Sequence, residues 1–412
     1  MTSEPKKANA AAGRVLNAFL LAACISFPTS CGYFDLLNPY APPAPPPPVT
    51  WQTHLGGVKD DVAYSVRQTA DGGYILCGST CSFGAGEKDV YLVKTDSEGE
   101  PEWSMTFGGT AADEGRCVLQ LPPPDGGYVL VGTTSSFGAG AEDVYLLKTN
   151  ALGEEEWHKT FGGSGDEEGY CVQRTSDDGY IIAGNTCPAL SVVDVLLIRT
   201  DGEGKELWSK TFGGVFQDGG RCVRQTAEGG YVVAGFGEYQ TLPPYVNENA
   251  YLLKTDADGS EQWSECFGGD WLDSGTGLEP TADGGYILCG YTVSFGEGEI
   301  NAMLVKTDAA GQAQWLRAYG GDNWDQAEAV LQTPDGGYAL AGMSRSFTSY
   351  GQVYLVKTDG DGGQQWSATF GGGGDEWAHA VQQTADGGFI LAGKTTSFGA
   401  GDQDVYLVYY KP

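Results

Sequence analysis

The chain has little of the chemistry on which most enzymes rest. Only three histidines occur in 412 residues, His54, His158 and His379. They fall at different positions of the repeat described below, so histidine-based catalysis or metal binding is poorly supported. A G-x-S-x-G elbow, a P-loop, an H-E-x-x-H helix and a zinc-spaced Cys/His set are all absent, and the 10 cysteines include no CxxC pair. Positive charge is scarce: 23 Lys and Arg stand against 54 Asp and Glu, a formal net charge of −31. Such a chain repels nucleic acid and anionic lipid head groups, which excludes both as partners. Long apolar runs are few, and the one near the N-terminus, Val15 to Ala23, is too short for a permanent membrane span.

What is present points to β structure and export. The 64 glycines and 12% aromatic residues suit many short strands joined by tight turns, and 41% hydrophobic residues allow a large core. Lys6, Lys7 and Arg14 precede the apolar stretch, the pattern of a signal peptide over residues 1–23. The stretch ends in Leu21-Ala22-Ala23-Cys24, which resembles the lipobox of bacterial lipoproteins. The resemblance implies acylation of Cys24 and a membrane held by the lipid anchor alone, with free secretion the alternative. Residues 24–48 read as a tether. Seven prolines between 39 and 48 favour extended polyproline II, a stiff spacer that would hold the following domain off the membrane. The expected location is extracytoplasmic, at the cell envelope or surface.

From residue 49 onward one unit repeats. Its turn signal appears as Asp71-Gly72-Gly73-Tyr74 and again at Asp125, Asp177, Glu228, Asp283, Asp335 and Asp386, at spacings of 51 to 55 residues. Each unit divides into four short strands, the plan of a propeller blade. The last unit stops after a third strand at Val405 to Tyr410, while an orphan fourth strand, Trp51 to Leu55, precedes the first. Joining them completes a ring, so residues 49–412 are expected to form an all-β, seven-bladed propeller closed by the N-terminal strand. The unit, as in Thr384 to Gly393 followed by Ser397-Phe398-Gly399-Ala400-Gly401, resembles the β-propeller repeats of bacterial and archaeal secreted and surface proteins. That resemblance implies a location and an architecture, not a reaction.

Two further motifs invite chemical readings. Asp201-Gly202-Glu203-Gly204 with Trp208 is similar to the blade signature of quinoprotein dehydrogenases, but those have eight blades and a vicinal cysteine pair, and here neither is present. Asp256-Ala257-Asp258-Gly259 partly matches a calcium loop, yet Phe267 stands where the bidentate Glu is needed. Blade packing and turn capping account for both. No cofactor is expected, although a divalent cation stays open at the carboxylates described next.

The candidate site lies where the repeat varies. A carboxylate enters every innermost strand (Asp61, Asp113, Glu167, Asp218, Asp273, Asp325, Glu376), either as an acidic ring at the channel mouth that recruits a cation, or as turn caps. Three residues later come Tyr64, Arg116, Tyr170, Arg221, Thr276, Glu328 and His379, expected at the same mouth. Phe216, Trp271, Trp324 and Trp377 lie outside the repeat consensus in four consecutive blades and form a candidate binding patch. Cys117, Cys171 and Cys222 share one repeat position, and Cys77 and Cys289 another; small buried side chains explain them, with an inter-blade bridge such as Cys117 to Cys171 the alternative. The expectation is a binding or scaffolding module for a glycan or an extracellular protein, using Phe216, Trp271, Trp324, Trp377, Arg116, Arg221 and His379. The alternative is a quinone-dependent or polysaccharide-active propeller enzyme.

Overall fold

The computed structural model describes residues 51–123, 126–188, 192–240 and 246–412. The signal segment, Cys24 and the proline tether lie outside the described residues, as does Asp125. Strands are numbered in chain order, and the first unit shows why each forms. β1 (Trp51–Leu55) is followed by β2 (Asp61–Gln68), β3 (Tyr74–Thr80), β4 (Asp89–Thr95) and β5 (Pro101–Phe107). Every residue of β3 and β4 is buried, because these middle strands have a neighbouring sheet on both faces. Their sequences are accordingly near-continuous apolar runs rather than alternating ones. β5 lies outermost and shows the alternating exposure of a half-solvated strand. Between β2 and β3 the chain turns at Thr69 to Gly73, where Gly72 takes φ 91°, a conformation open to glycine at little cost.

This unit repeats to give 28 strands in seven four-stranded antiparallel sheets among the described residues. The innermost strands of the later units are β6 (Asp113–Gln120), β10 (Asp166–Arg174), β14 (Asp218–Gln225), β18 (Asp273–Pro280), β22 (Asp325–Gln332) and β26 (Glu376–Gln383). β2 packs against both β6 and β26, which closes the ring. The fold is a seven-bladed β-propeller.

The last sheet runs β1-β28-β27-β26, with β27 spanning Phe389–Thr395 and β28 spanning Asp404–Tyr410. The orphan strand therefore completes blade 7, as the sequence requires. Trp51 pairs with Tyr409 and Leu55 with Val405. The Tyr406 hydroxyl donates to Gln52 Oε1 at 2.6 Å, and the Trp51 ring stacks on Tyr409 at 5.6 Å between centroids.

Adjacent blades are joined by a repeated aromatic contact. The outer-strand Trp of one blade meets the second-strand Tyr of the next, as in Trp51–Tyr74 at 5.9 Å, Trp103–Tyr128 at 6.0 Å and Trp263–Tyr286 at 6.2 Å. Such pairs contribute about 0.5–1.5 kcal/mol each beyond their buried area. The same tryptophans cover the turn glycines. A side chain added at Gly204 would strike the ring of Trp157. The Asp, Gly and Trp that resemble the quinoprotein signature thus serve turn and packing: Asp201 Oδ1 accepts the amides of Glu203 at 3.0 Å and Lys205 at 2.9 Å. In the calcium-like loop Asp256 Oδ1 accepts the amides of Asp258 at 3.0 Å and Ser260 at 2.8 Å, the geometry of a capped turn.

Candidate functional site

Every innermost strand breaks register at one place. The pairing with its neighbour jumps from Ala63 to Ser65, Gly115 to Cys117, Gly169 to Cys171, Gly220 to Cys222, Gly275 to Gly277, Ala327 to Ala329 and Ala378 to Ala380. The skipped residues are Tyr64, Arg116, Tyr170, Arg221, Thr276, Glu328 and His379, the variable position of the repeat. A β-bulge leaves one residue unpaired and re-aims its side chain. Seven bulges around one axis therefore deliver seven side chains of five kinds to the central channel. All seven line both a cavity of about 350 Å³ and a deeper one of about 120 Å³, so the two form one funnel.

The sequence supports each bulge with small residues. A side chain on the second-strand glycine opposite, as at Gly78 or Gly132, would strike the carbonyl oxygen of Val62 or Glu114. The residue before each bulge is Gly or Ala, and a side chain at Gly115 would meet Cys77 of the preceding blade.

Five of the seven bulge residues stack in an arc. The His379 and Tyr64 rings lie 5.1 Å apart, and the Arg116 guanidinium sits 4.2 Å over the Tyr64 ring. Arg116 also lies 5.5 Å from Tyr170, whose other neighbour is the Arg221 guanidinium at 4.1 Å. Aromatic faces and cations thus alternate from blade 1 to blade 4. The arc continues outward, because the Trp377 ring stacks on His379 at 5.8 Å and meets Trp324 edge-on at 6.3 Å. Arg345 and Lys394 sit over Trp324 and Trp377 respectively, each at 5.8 Å.

The charges around the arc are unequal. Arg116 forms an ion pair with Glu114, which also accepts the Tyr64 hydroxyl at 3.0 Å. Arg221 has no carboxylate of the described residues within ion-pair distance, so its charge is directed into the funnel. Glu328 completes the ring in blade 6, where burial pushes its carboxyl up to about 7 despite the Gln326 amide, Arg221 and the Trp377 indole. Burial, then Lys394 and Arg116, hold His379 down to about 3, so its ring is neutral at ordinary pH. Burial and Glu114 push the Tyr64 phenol up to about 12.

It is a propeller by fold alone. No protein-family model and no curated protein matches the chain. Among solved structures it is similar to the WD40 domain of Pan2 from Neurospora crassa, at 12% identity and a TM-score of 0.52, covering 90% of this chain and 98% of that one. Puromycin hydrolase is similar at 15% identity and a TM-score of 0.45, over 82% of this chain and 50% of that one. Sqt1 from Chaetomium thermophilum is similar at 11% identity and a TM-score of 0.45, over 88% of this chain and 100% of that one.

Of the residues expected at the site, the propeller gathers some and disperses others. Trp324 and Trp377 meet at the rim. Trp271 lies on the surface, 67% exposed, and no ring contact among the described residues joins it or Phe216 to that pair. The seven entry carboxylates are not among the residues that line either cavity. Each caps its own turn: Asp61 accepts the Gly57 amide and the Ser82 hydroxyl, both at 2.7 Å, and Asp325 accepts Gly321 at 2.8 Å and Ser346 at 2.6 Å. Asp113, Glu167, Asp218, Asp273 and Glu376 likewise accept the amide of the residue four positions before them. Nor do the described residues contain a group of three or more His, Cys, Asp or Glu placed to hold a metal ion.

Two tiers of lining residues escape a reading based on the variable position alone. Above the arc Ser274 and Gln326 face the wider cavity, and below it Cys117, Cys171, Cys222, Arg67 and Arg224 line the deeper one. Cys117, Cys171 and Cys222 are thus buried, as expected of small core residues, yet they also form part of the channel wall.

Proposed function

We propose that this propeller is an extracytoplasmic binding module that takes a small anionic, hydroxyl-bearing ligand into the wide end of its channel, the terminus of an acidic glycan being the class that fits best. The observation that carries this reading is the bulge arc, in which seven variable side chains converge and the Arg221 cation has no ion-pair partner among the described residues. Tyr, His and Trp faces suit stacking on a sugar ring, and Thr276, Gln326 and the phenols suit its hydroxyls. The cavity of about 350 Å³ falls within the range of about 300–1,000 Å³ usual for small-molecule sites. A positive funnel in a chain of net charge −31 favours an anion locally while the remaining surface repels it. In this reading the leader exports the chain, acylation at Cys24 attaches it, and the proline tether holds the propeller clear of the membrane.

The test is calorimetric titration with galacturonate against galactose, followed by an array of acidic and neutral glycans. Arg221→Ala should lower affinity for the acidic sugar at least tenfold, and Trp377→Ala should weaken both sugars. Equal binding of acidic and neutral sugars, untouched by Arg221→Ala, would refute the assignment.

A further inference from the structure

The deeper end of the funnel contains a reactive-looking arrangement that the binding reading does not use. Cys171 on β10 and Cys222 on β14 each stand directly after a bulge, on the inner strands of neighbouring blades, and both line the deeper cavity. Their sulfurs are 3.8 Å apart. Arg224 reaches both: Nη1 donates to Cys222 Sγ at 3.2 Å and to Cys171 Sγ at 3.5 Å, while Nε is anchored on Glu279 Oε2 at 3.1 Å. The thiols are otherwise directed at carbonyls of the next blade, Cys171 toward Val223 at 3.8 Å and Cys222 toward Leu278 at 3.7 Å. A guanidinium fixed beside two sulfurs is the environment in which one becomes a nucleophilic thiolate.

We propose that Cys171 and Cys222 form a dithiol site that small organic disulfides oxidise to a bridge between blades 3 and 4. In the first step the Cys171 thiolate attacks one sulfur of RSSR; a Cys171–S–R bond forms and RS⁻ leaves. In the second, Cys222 loses its proton and its sulfur attacks Cys171 Sγ. The Cys171–Cys222 bond forms and the second RS⁻ leaves. The protein loses two electrons, the disulfide gains them, and the two thiol protons end on two RSH. Closing the gap from 3.8 Å to a bond of about 2.0 Å needs the two sulfurs to approach by just under 2 Å.

Two further features agree with this assignment. The Cys117 and Cys222 thiols, and after them Arg224, favour a negative Cys171 sulfur against the cost of its burial, and its thiol is held well below the ordinary range while those of its two neighbours are raised. Blades 6 and 7 carry Ala329 and Ala380 at the same tier, so the fold does not require sulfur there.

The full chain, reduced and freed of thiol, would be exposed to 2-hydroxyethyl disulfide, trapped with an alkylating agent and mapped by mass spectrometry. The expected product is a Cys171–Cys222 cross-linked peptide. Cys222→Ala should stop at a 2-hydroxyethylthio mixed disulfide on Cys171, and Cys171→Ala should abolish the cross-link. Arg224→Gln should slow its formation about tenfold. Exposed Cys266 reports that the reagent is active, and circular dichroism reports that each variant is folded. An unmodified Cys171 in folded protein whose Cys266 has reacted would overturn the proposal. So would a Cys117–Cys171 bridge in place of Cys171–Cys222, or a rate indifferent to Arg224.

Discussion

Replacing Glu328 by Gln should stabilise the propeller, and only on the alkaline side. The side chain lines the funnel, where burial pushes its carboxyl from 4.5 to about 7. The folded state therefore keeps a proton that the unfolded chain releases. Stability from this group is fully present below the ordinary carboxylate range and is lost as pH rises toward 7, after which the loss is constant. The separation from 4.5 to about 7 corresponds to about 3 kcal/mol. Water in the funnel screens part of that, so about 2 kcal/mol is the expected difference. Glutamine keeps an oxygen for the Gln326 amide and never ionises. Urea unfolding of wild type and variant at pH 4.5 and pH 8 provides the assay, because other titrating groups cancel in the difference. Glu328→Gln should match wild type at pH 4.5 and exceed it by about 2 kcal/mol at pH 8, with a Tm a few degrees higher. Equal stability at pH 8, or a gain already complete at pH 4.5, would refute the claim that Glu328 is held protonated.

Three further outcomes are expected. Affinity for an acidic sugar should fall as pH rises through 7, since ionised Glu328 adds a negative charge near Arg221; titration calorimetry of Glu328→Gln should show a flat profile. Deleting residues 49–57 removes β1 and leaves β28 with an unpaired edge, so stability should drop by several kcal/mol, and an unchanged Tm would contradict the closure. Asp404→Asn should stabilise by about 1 kcal/mol at pH 8, because burial and then Asp61 raise the Asp404 carboxyl, and blade 6 already places the amide of Gln352 there, donating to Glu376 at 3.0 Å. The gain should vanish below pH 4, where the carboxyl is protonated, and a stability difference independent of pH would count against it.

The ring was legible because its signals are local and repeated seven times. A Gly-Gly turn, Asp178-Gly179 in blade 3, fixes where each second strand begins, and the missing fourth strand at one end matches the orphan strand at the other. Side-chain direction in the entry loops was harder to read. Whether Asp61 faces the channel or its own turn depends on the amide of Gly57 and the hydroxyl of Ser82, which spacing alone does not reveal. The aromatic patch divided for a similar reason: Trp377 belongs to β26 and stacks on His379, whereas Trp271 rides a surface loop.

The cysteine tier shows what strand alternation misses. In a regular strand neighbouring residues face opposite ways, so if Tyr170 faces the channel then Cys171 belongs to the core between blades. The bulge inserts one extra residue and suspends that rule, and both side chains reach the channel wall. Its signature was present in every blade as a small residue before the variable position and a glycine opposite it, such as Gly169 facing Gly184. A bulge side chain is left out of the strand pairing and projects into the channel, so the sheet ladder accepts Tyr, Arg, Thr, Glu or His there. Function is free to vary at the one position that strand pairing leaves open, and the arc of Tyr64, Arg116, Tyr170, Arg221 and His379 occupies it.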